Sequence, residues 1–328
     1  MKNKVLRIGT RESQLAVWQA YQVKELLAQQ GHEAELVYIK SEGDIDLQTP
    51  LYEIGVQGIF TRSLDIALLN NRIDLAVHSM KDVPTQLPKG IVQSAVLKRA
   101  SYKDLFVYKG DISELGEALG FVDGQWSMVN KKNSQLTTHN SQLTIATSSI
   151  RRKAQWLNRY PDHNVVNLRG NVNTRLRKVA DSDWNGAIFA AAGLDRIKLR
   201  PETSIELDWM LPAPAQGAIV VVCRENDIFS FEASNYFNDI PTALCTKIEK
   251  DFLRILLGGC STPISALAEI KHEALLFKGN IFTVDGSERV DIEKAVPLQE
   301  AANIGKTAAL EILANGGQTI AASIHHER

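Results

Sequence analysis

Apolar positions in the first hundred residues alternate between two periods. Short runs at 5–8, 34–39 and 73–77 have the compact apolar character of sheet strands, whereas Ala16, Ala20, Val23 and Leu27 recur at helical spacing. Ser13 stands where a helix cap is wanted, and Gly31 where a helix stops. Residues 61–70 predict a second helix. Strands alternating with helices predict an open α/β sheet covered on both faces. A second such stretch begins near Asp104, with strands expected at 143–146 and 164–168. Thr147-Ser148-Ser149 caps a helix running to Tyr160, and Asn173 or Thr174 caps another. The apolar run 219–223 reads as a strand that closes either sheet. Residues 241–257 predict an amphipathic helix with Pro241 in its first turn. Strands at 266–270, 275–282 and 289–295, a turn at Asp285-Gly286 and a final helix over 298–314 make a smaller α+β tail. Residues 123–142 are polar and carry a near-repeat, Asn133-Ser-Gln-Leu-Thr137 and Asn140-Ser-Gln-Leu-Thr144, which marks an inserted surface loop.

Composition narrows the function. The 328 residues are 44% hydrophobic and 23% charged with a formal net charge of −1, so no global field draws the chain to nucleic acid or an anionic membrane. Three widely spaced cysteines argue against a disulfide framework and show no zinc spacing. The N-terminus lacks the apolar core of a signal peptide, and no run approaches membrane-spanning length, which points to the cytoplasm.

The candidate chemistry lies at predicted strand ends, where open α/β sheets bind ligands. Lys81 and Asp82 follow the third strand. His78 before them reads as a satisfied structural histidine. Arg11, Arg151, Arg152, Arg169, Arg175 and Arg196 recur at strand-to-helix junctions. Singly, each is an ordinary solvated charge; jointly they line a cleft suited to a polyanion. Arg151 and Arg152 fall in a first helical turn, where cations oppose the helix dipole unless an anion sits nearby. No nucleotide-phosphate motif is present, so carboxylates fit better than phosphates. Cys260, in Leu257-Gly258-Gly259-Cys260-Ser261-Thr262-Pro263, sits in loop chemistry rather than core chemistry.

Several of these segments occur in order as family markers: Arg7-Ile-Gly-Thr-Arg11-Glu-Ser13, Ala76-Val-His-Ser79-Met-Lys81-Asp82-Val-Pro84, Thr147-Ser148-Ser149-Ile-Arg151-Arg152, Leu168-Arg169-Gly-Asn171-Val-Asn-Thr-Arg175, Gln216-Gly-Ala and Gly258-Gly259-Cys260. In them the chain resembles the hydroxymethylbilane synthase (porphobilinogen deaminase) family. The resemblance implies an α/β fold of two doubly wound domains like those of periplasmic binding proteins, 1–98 with 212–230 and 99–211, and a small α+β domain, 231–328. It implies head-to-tail condensation of four porphobilinogen molecules with loss of ammonia, then hydrolytic release of a linear tetrapyrrole, by a monomer. It implies a dipyrromethane cofactor attached through Cys260 and held by Lys81, Ser79, Thr147, Ser148, Ser149, Arg151, Arg152, Arg169 and Arg175. Substrate contacts would come from Arg11, Ser13, Gln19 and Arg196, and Asp82 would be the catalytic carboxylate. The chain departs from the pattern at Gly55-Val56-Gln57-Gly58, where Gly-Gly-Lys-Gly is usual, and at Ala215, where glycine is common. A solute-binding module and a cysteine-nucleophile acyl transferase are the rival classes. The first lacks an export signal, and the second lacks a clear histidine partner.

Overall fold

The computed structural model describes residues 4–40, 61–122, 124–126, 142–256 and 262–326. The 55–58 loop, most of the 123–142 insertion and Cys260 lie outside them. In chain order the strands are β1 (Leu6–Thr10), β2 (Ala34–Tyr38), β3 (Leu75–Ser79), β4 (Ile91–Val96), β5 (Asp104–Tyr108), β6 (Phe121–Val122), β7 (Gln125–Trp126), β8 (Thr144–Ala146), β9 (Asn164–Val166), β10 (Gly186–Ala190), β11 (Ser204–Glu206), β12 (Ile219–Arg224), β13 (Ile264–Lys271), β14 (Ala274–Phe282) and β15 (Arg289–Pro297). Two five-stranded sheets run β2-β1-β3-β12-β4 and β11-β5-β10-β8-β9, and β13-β14-β15 form an antiparallel third.

The run that fitted either sheet joins the first. β12 lies antiparallel between β3 and β4. Its residues are buried from Ile219 through Cys223, as a central strand covered on both faces requires. The polypeptide therefore crosses between the first two sheets twice, once before Asp104 and once before Ile219. The two crossovers touch. Ala100 N–H donates to the Gly217 carbonyl at 3.1 Å, and Gln216 donates to the Tyr102 carbonyl at 2.8 Å. Gly217 has φ +88°, and a Cβ there would stand 2.7 Å from the Ser101 carbonyl oxygen. Gly217→Ala is therefore expected to cost about 1–3 kcal/mol, and an unchanged midpoint in urea unfolding would refute it.

Three sequence expectations are corrected. The third strand runs two residues further than 73–77, so His78 and Ser79 belong to β3, and Met80–Asp82 form a single 3-10 turn at its end. The helix Val172–Asp181 is capped by Asn171, whose side chain accepts from Thr174 N–H, rather than by Asn173 or Thr174. The final helix is not one segment: Ile304–Ile312 is followed, past a bend at Gly316 (φ +102°), by a further helix, Gln318–His326.

The third unit packs the helix Ile240–Leu256 on its sheet through Ile248, Phe252, Phe277 and Ile281. Glu249 on that helix is buried and ties both crossovers to the third sheet. Its oxygens accept from Arg99 at 2.6 and 3.1 Å, from Ala215 N–H at 2.6 Å and from Ala268 N–H at 2.7 Å. Ala215, with φ +63°, is thereby fixed in a left-handed conformation.

Candidate active site

The carboxyl ends of β1 and β3 in the first sheet face the helix starts of the second across a cleft. The helix Gln14–Gln29 is capped by Ser13, whose Oγ accepts from Ala16 N–H at 3.4 Å. The helix Ile150–Arg159 is capped by Ser149, which accepts from Arg152 N–H. Thr147 Oγ1 accepts from Ser149 N–H at 3.2 Å, and Ser148 donates to the Leu168 carbonyl at 2.7 Å. These hydroxyl groups thus build the rim. Gln19, buried on its helix, donates to Ser79 Oγ at 2.9 Å and so joins the first helix to the end of β3.

Sequence reasoning missed the anion that Arg151 and Arg152 demand. Asp104, fully buried at the start of β5, accepts from Arg151 Nη2 at 2.8 Å and Arg152 Nη2 at 2.7 Å. Burial alone would push its carboxyl up, but the two guanidinium charges outweigh that and hold it well below the usual carboxylate range. Arg151 also donates to the Leu211 carbonyl, and Arg152 to that of Ile188. Both are buried, and the Nε of each has no hydrogen-bond partner. Gln216 completes the junction: its amide donates to Asp104 Oδ1 at 2.9 Å, and its Oε1 accepts from Lys81 Nζ at 3.2 Å. Lys81 of the first sheet and Asp104 of the second are thus joined through one crossover side chain.

Asp82 and Lys81 sit in the turn ending β3, both half-buried. Burial, then the charge of Arg152, pushes the Lys81 ammonium down to about 8. Arg175, which donates through Nε to the Gly170 carbonyl at 2.7 Å, is pushed down to about 10 by burial and by Arg152 and Arg169. Asp82 offsets both shifts, which places it within electrostatic reach of Lys81 and Arg175. His78 is buried, as a structural residue should be, yet not satisfied. Its Nε2 has no partner, and burial with the nearby Arg11 charge pushes it down to about 4. Arg169 is buried, within electrostatic reach of Arg175. Arg196 reaches the same crossover one residue on, donating to the Gly217 carbonyl at 2.7 Å and packing 5.7 Å from the Trp18 ring; burial pushes it down to about 10.

Cations crowded until they depress one another's proton affinity form a site built for a ligand that brings negative charge. The donors are forks and an ammonium, which suit carboxylates. A dipyrromethane bearing acetate and propionate arms fits such a donor set. Where the cleft opens, a cavity of about 380 Å³ is lined by Ser13, Gln14, Asn171, Asn173 and Arg177 among others, with Asn173 donating to Gln14 across it at 3.0 Å. Among the described residues no His, Cys, Asp and Glu cluster is arranged to hold a metal ion, and no helix is long and apolar enough to cross a membrane.

Comparison with known proteins agrees with this chemistry. Residues 6–230 match the family model described as "Porphobilinogen deaminase, dipyromethane cofactor binding domain", and residues 243–314 match "Porphobilinogen deaminase, C-terminal domain". The porphobilinogen deaminase of Syntrophotalea carbinolica is 38% identical over 328 residues, 99% of this chain and 97% of that one. The Geobacter sulfurreducens enzyme of the same name is 36% identical over 98% of this chain and 95% of its own. Among solved structures, the methionine binding protein MetQ overlaps 71% of this chain and 89% of its own at 13% identity and TM-score 0.42. A periplasmic binding protein specific for arginine from Salmonella typhimurium overlaps 73% and 94% at 11% identity and TM-score 0.40. With matching models over both of its parts and relatives similar from end to end, this chain belongs to the porphobilinogen deaminase family.

Proposed function

We propose that Asp82 is the catalytic carboxylate of this deaminating transferase, and that Cys260 carries its dipyrromethane through a thioether. The activity is that of a hydroxymethylbilane synthase, which condenses porphobilinogen molecules with loss of ammonia in porphyrin biosynthesis. The observation that carries the assignment of roles is a surplus of buried cations around one half-exposed carboxylate at a strand end. When bound, the dipyrromethane supplies the carboxylates that such a cleft holds and the pyrrole at which chain growth starts.

Lys81, Arg151, Arg152, Arg169 and Arg175, with the hydroxyls of Ser79, Thr147, Ser148 and Ser149, hold cofactor carboxylates on this reading. Arg11, Ser13, Gln19 and Arg196 meet the incoming porphobilinogen. As ammonia leaves the aminomethyl carbon of that substrate, positive charge spreads over its ring. Asp82, placed beside the pyrrole N–H, stabilises this charge. It also moves protons, to the leaving amine and from the α-carbon that is attacked. The burial of Arg151 and Arg152 keeps water from competing for the cofactor's carboxylates.

The same reading divides the chain at 1–98 with 212–230, 99–211 and 231–328, and has it work as a cytoplasmic monomer without nucleic acid or membrane. Its test is an intact mass. After incubation with porphobilinogen, the purified protein is expected to exceed its bare-chain mass by one dipyrromethane and to colour with an aldehyde reagent for pyrroles. Cys260→Ser is expected to show the bare mass and no colour. Wild type at the bare mass, or a coloured Cys260→Ser protein with the adduct still attached, would exclude the thioether at this position.

A further inference from the structure

The turn that presents Asp82 is held at four points. Met80 N–H donates to the Ala218 carbonyl at 3.0 Å, and Val83 N–H closes back on the Met80 carbonyl at 3.2 Å. Lys81 is held by Gln216. The fourth point is the Val83 carbonyl, which accepts from the ammonium of Lys250, a residue that the reading above leaves without a role. The Val83 carbonyl belongs to the peptide bond preceding Pro84. A residue before proline is confined to extended backbone, and Val83 has φ −81° and ψ 134°. The carbonyl direction is therefore set by the chain, and Lys250 meets it from the helix Ile240–Leu256.

That helix is a fixed platform. Ala243 packs against the core containing Met80 and Val83. Lys250 lies seven residues on, two helical turns along the same face. Glu249, next to it, grips Arg99, Ala215 and Ala268. In sequence, the helix leads to Cys260 four residues past its end.

We infer that Lys250 is a positioning residue for Asp82, holding the exit of the Met80–Asp82 turn against the helix that leads to the cofactor cysteine. This rests on Asp82 being the catalytic carboxylate. Without Lys250 the turn keeps its internal bond and its ties to Ala218 and Gln216 but loses the anchor at its exit. A displacement near 1 Å at a reacting group costs up to about 100-fold in rate. A half-released turn is accordingly expected to lose about tenfold in kcat, with KM for porphobilinogen within about twofold of the parent.

The test uses cofactor-loaded protein, with loading verified by intact mass, in four forms: Lys250→Met, Lys250→Arg, Asp82→Asn and the double variant Asp82→Asn/Lys250→Met. Support is a tenfold loss of kcat in Lys250→Met at unchanged KM, recovery in Lys250→Arg, and no further loss when Lys250→Met is added to Asp82→Asn. A Lys250→Met protein that turns over like the parent overturns the inference. So does a loss that Lys250→Arg fails to recover, or one that persists in full on the Asp82→Asn background; each of these leaves the role of Asp82 standing. If Asp82→Asn itself turns over like wild type, the assignment of Asp82 fails first, and that of Lys250 falls with it.

Discussion

Asp82→Asn is expected to cut turnover of porphobilinogen by about 10²–10³-fold while the protein folds and loads its cofactor normally. The substitution keeps the size and planarity of the side chain and removes only its charge. The turn that carries it is held by backbone bonds at Met80 and Val83 and by Gln216 on Lys81, none of which involves the Asp82 side chain. The loss should therefore fall on kcat rather than on KM, because an interaction with developing charge is made only as ammonia departs. Steady-state kinetics on protein of verified mass decide the matter. Turnover within a few-fold of wild type would show that the positive charge is stabilised elsewhere.

The second large effect is on stability. Asp104→Asn is expected to destabilise the protein by about 3–5 kcal/mol, the range for breaking one side of a buried ion pair. Two buried guanidinium groups would face a neutral amide, with no water to replace the lost carboxylate. The exposed pair Lys103–Asp208, 2.6 Å apart only a few residues away, supplies the contrast. Lys103→Ala should cost about 1 kcal/mol or less. Tryptophan fluorescence during urea unfolding is suited to the comparison, since Trp156 lies in the core above β5. A near-equal shift for the two variants would sink the argument. The same pair gives a pH dependence with a definite sign. The folded-state pKa of Asp104 is depressed, so its stabilisation is full above the unfolded value, near pH 4, and drains away as the pH falls towards the folded value. Wild-type stability is expected to fall with acid in that window, and Asp104→Asn to lack this part of the slope.

Much of this architecture was legible in local signals. Ser13 and Ser149 cap their helices as their positions predict, since a hydroxyl before an apolar periodic run satisfies free N–H groups whatever the fold does later. Gly31 ends the first helix with φ +77°. Boundaries went astray where periodicity does not reach. β3 is buried throughout its apolar part, so no alternation marks its end, and the polar His78 and Ser79 read as loop although they are paired with Val220 and Ile219. Asn171 lies after a positive-φ glycine, and the choice among three nearby polar residues depended on that backbone bend.

The site divided along the same line. Its cations were visible because all but Arg196, which ends the helix Ala191–Arg196, stand at a strand end or near a helix start. Their partners were not, because Asp104, Glu249 and Gln216 act across 47, 150 and 135 residues respectively, and nothing local marks such reach. One signal was present and was assigned to a ligand alone. Two adjacent arginines in a first helical turn require a nearby anion, and the only acidic residue opening a buried strand of that sheet is Asp104 among the described residues.

The strand that returns through the second crossover has a bearing on how the polypeptide is made. β12 separates β3 from β4 and is the described neighbour of β4. During synthesis the first sheet therefore waits, with an open edge on β3, until residue 224 has left the ribosome. Every described strand of the second sheet lies between residues 104 and 206, and can be assembled before then. The unit that begins the chain is thus finished after the one that follows it, and chaperone demand should peak while its exposed edge is unpaired.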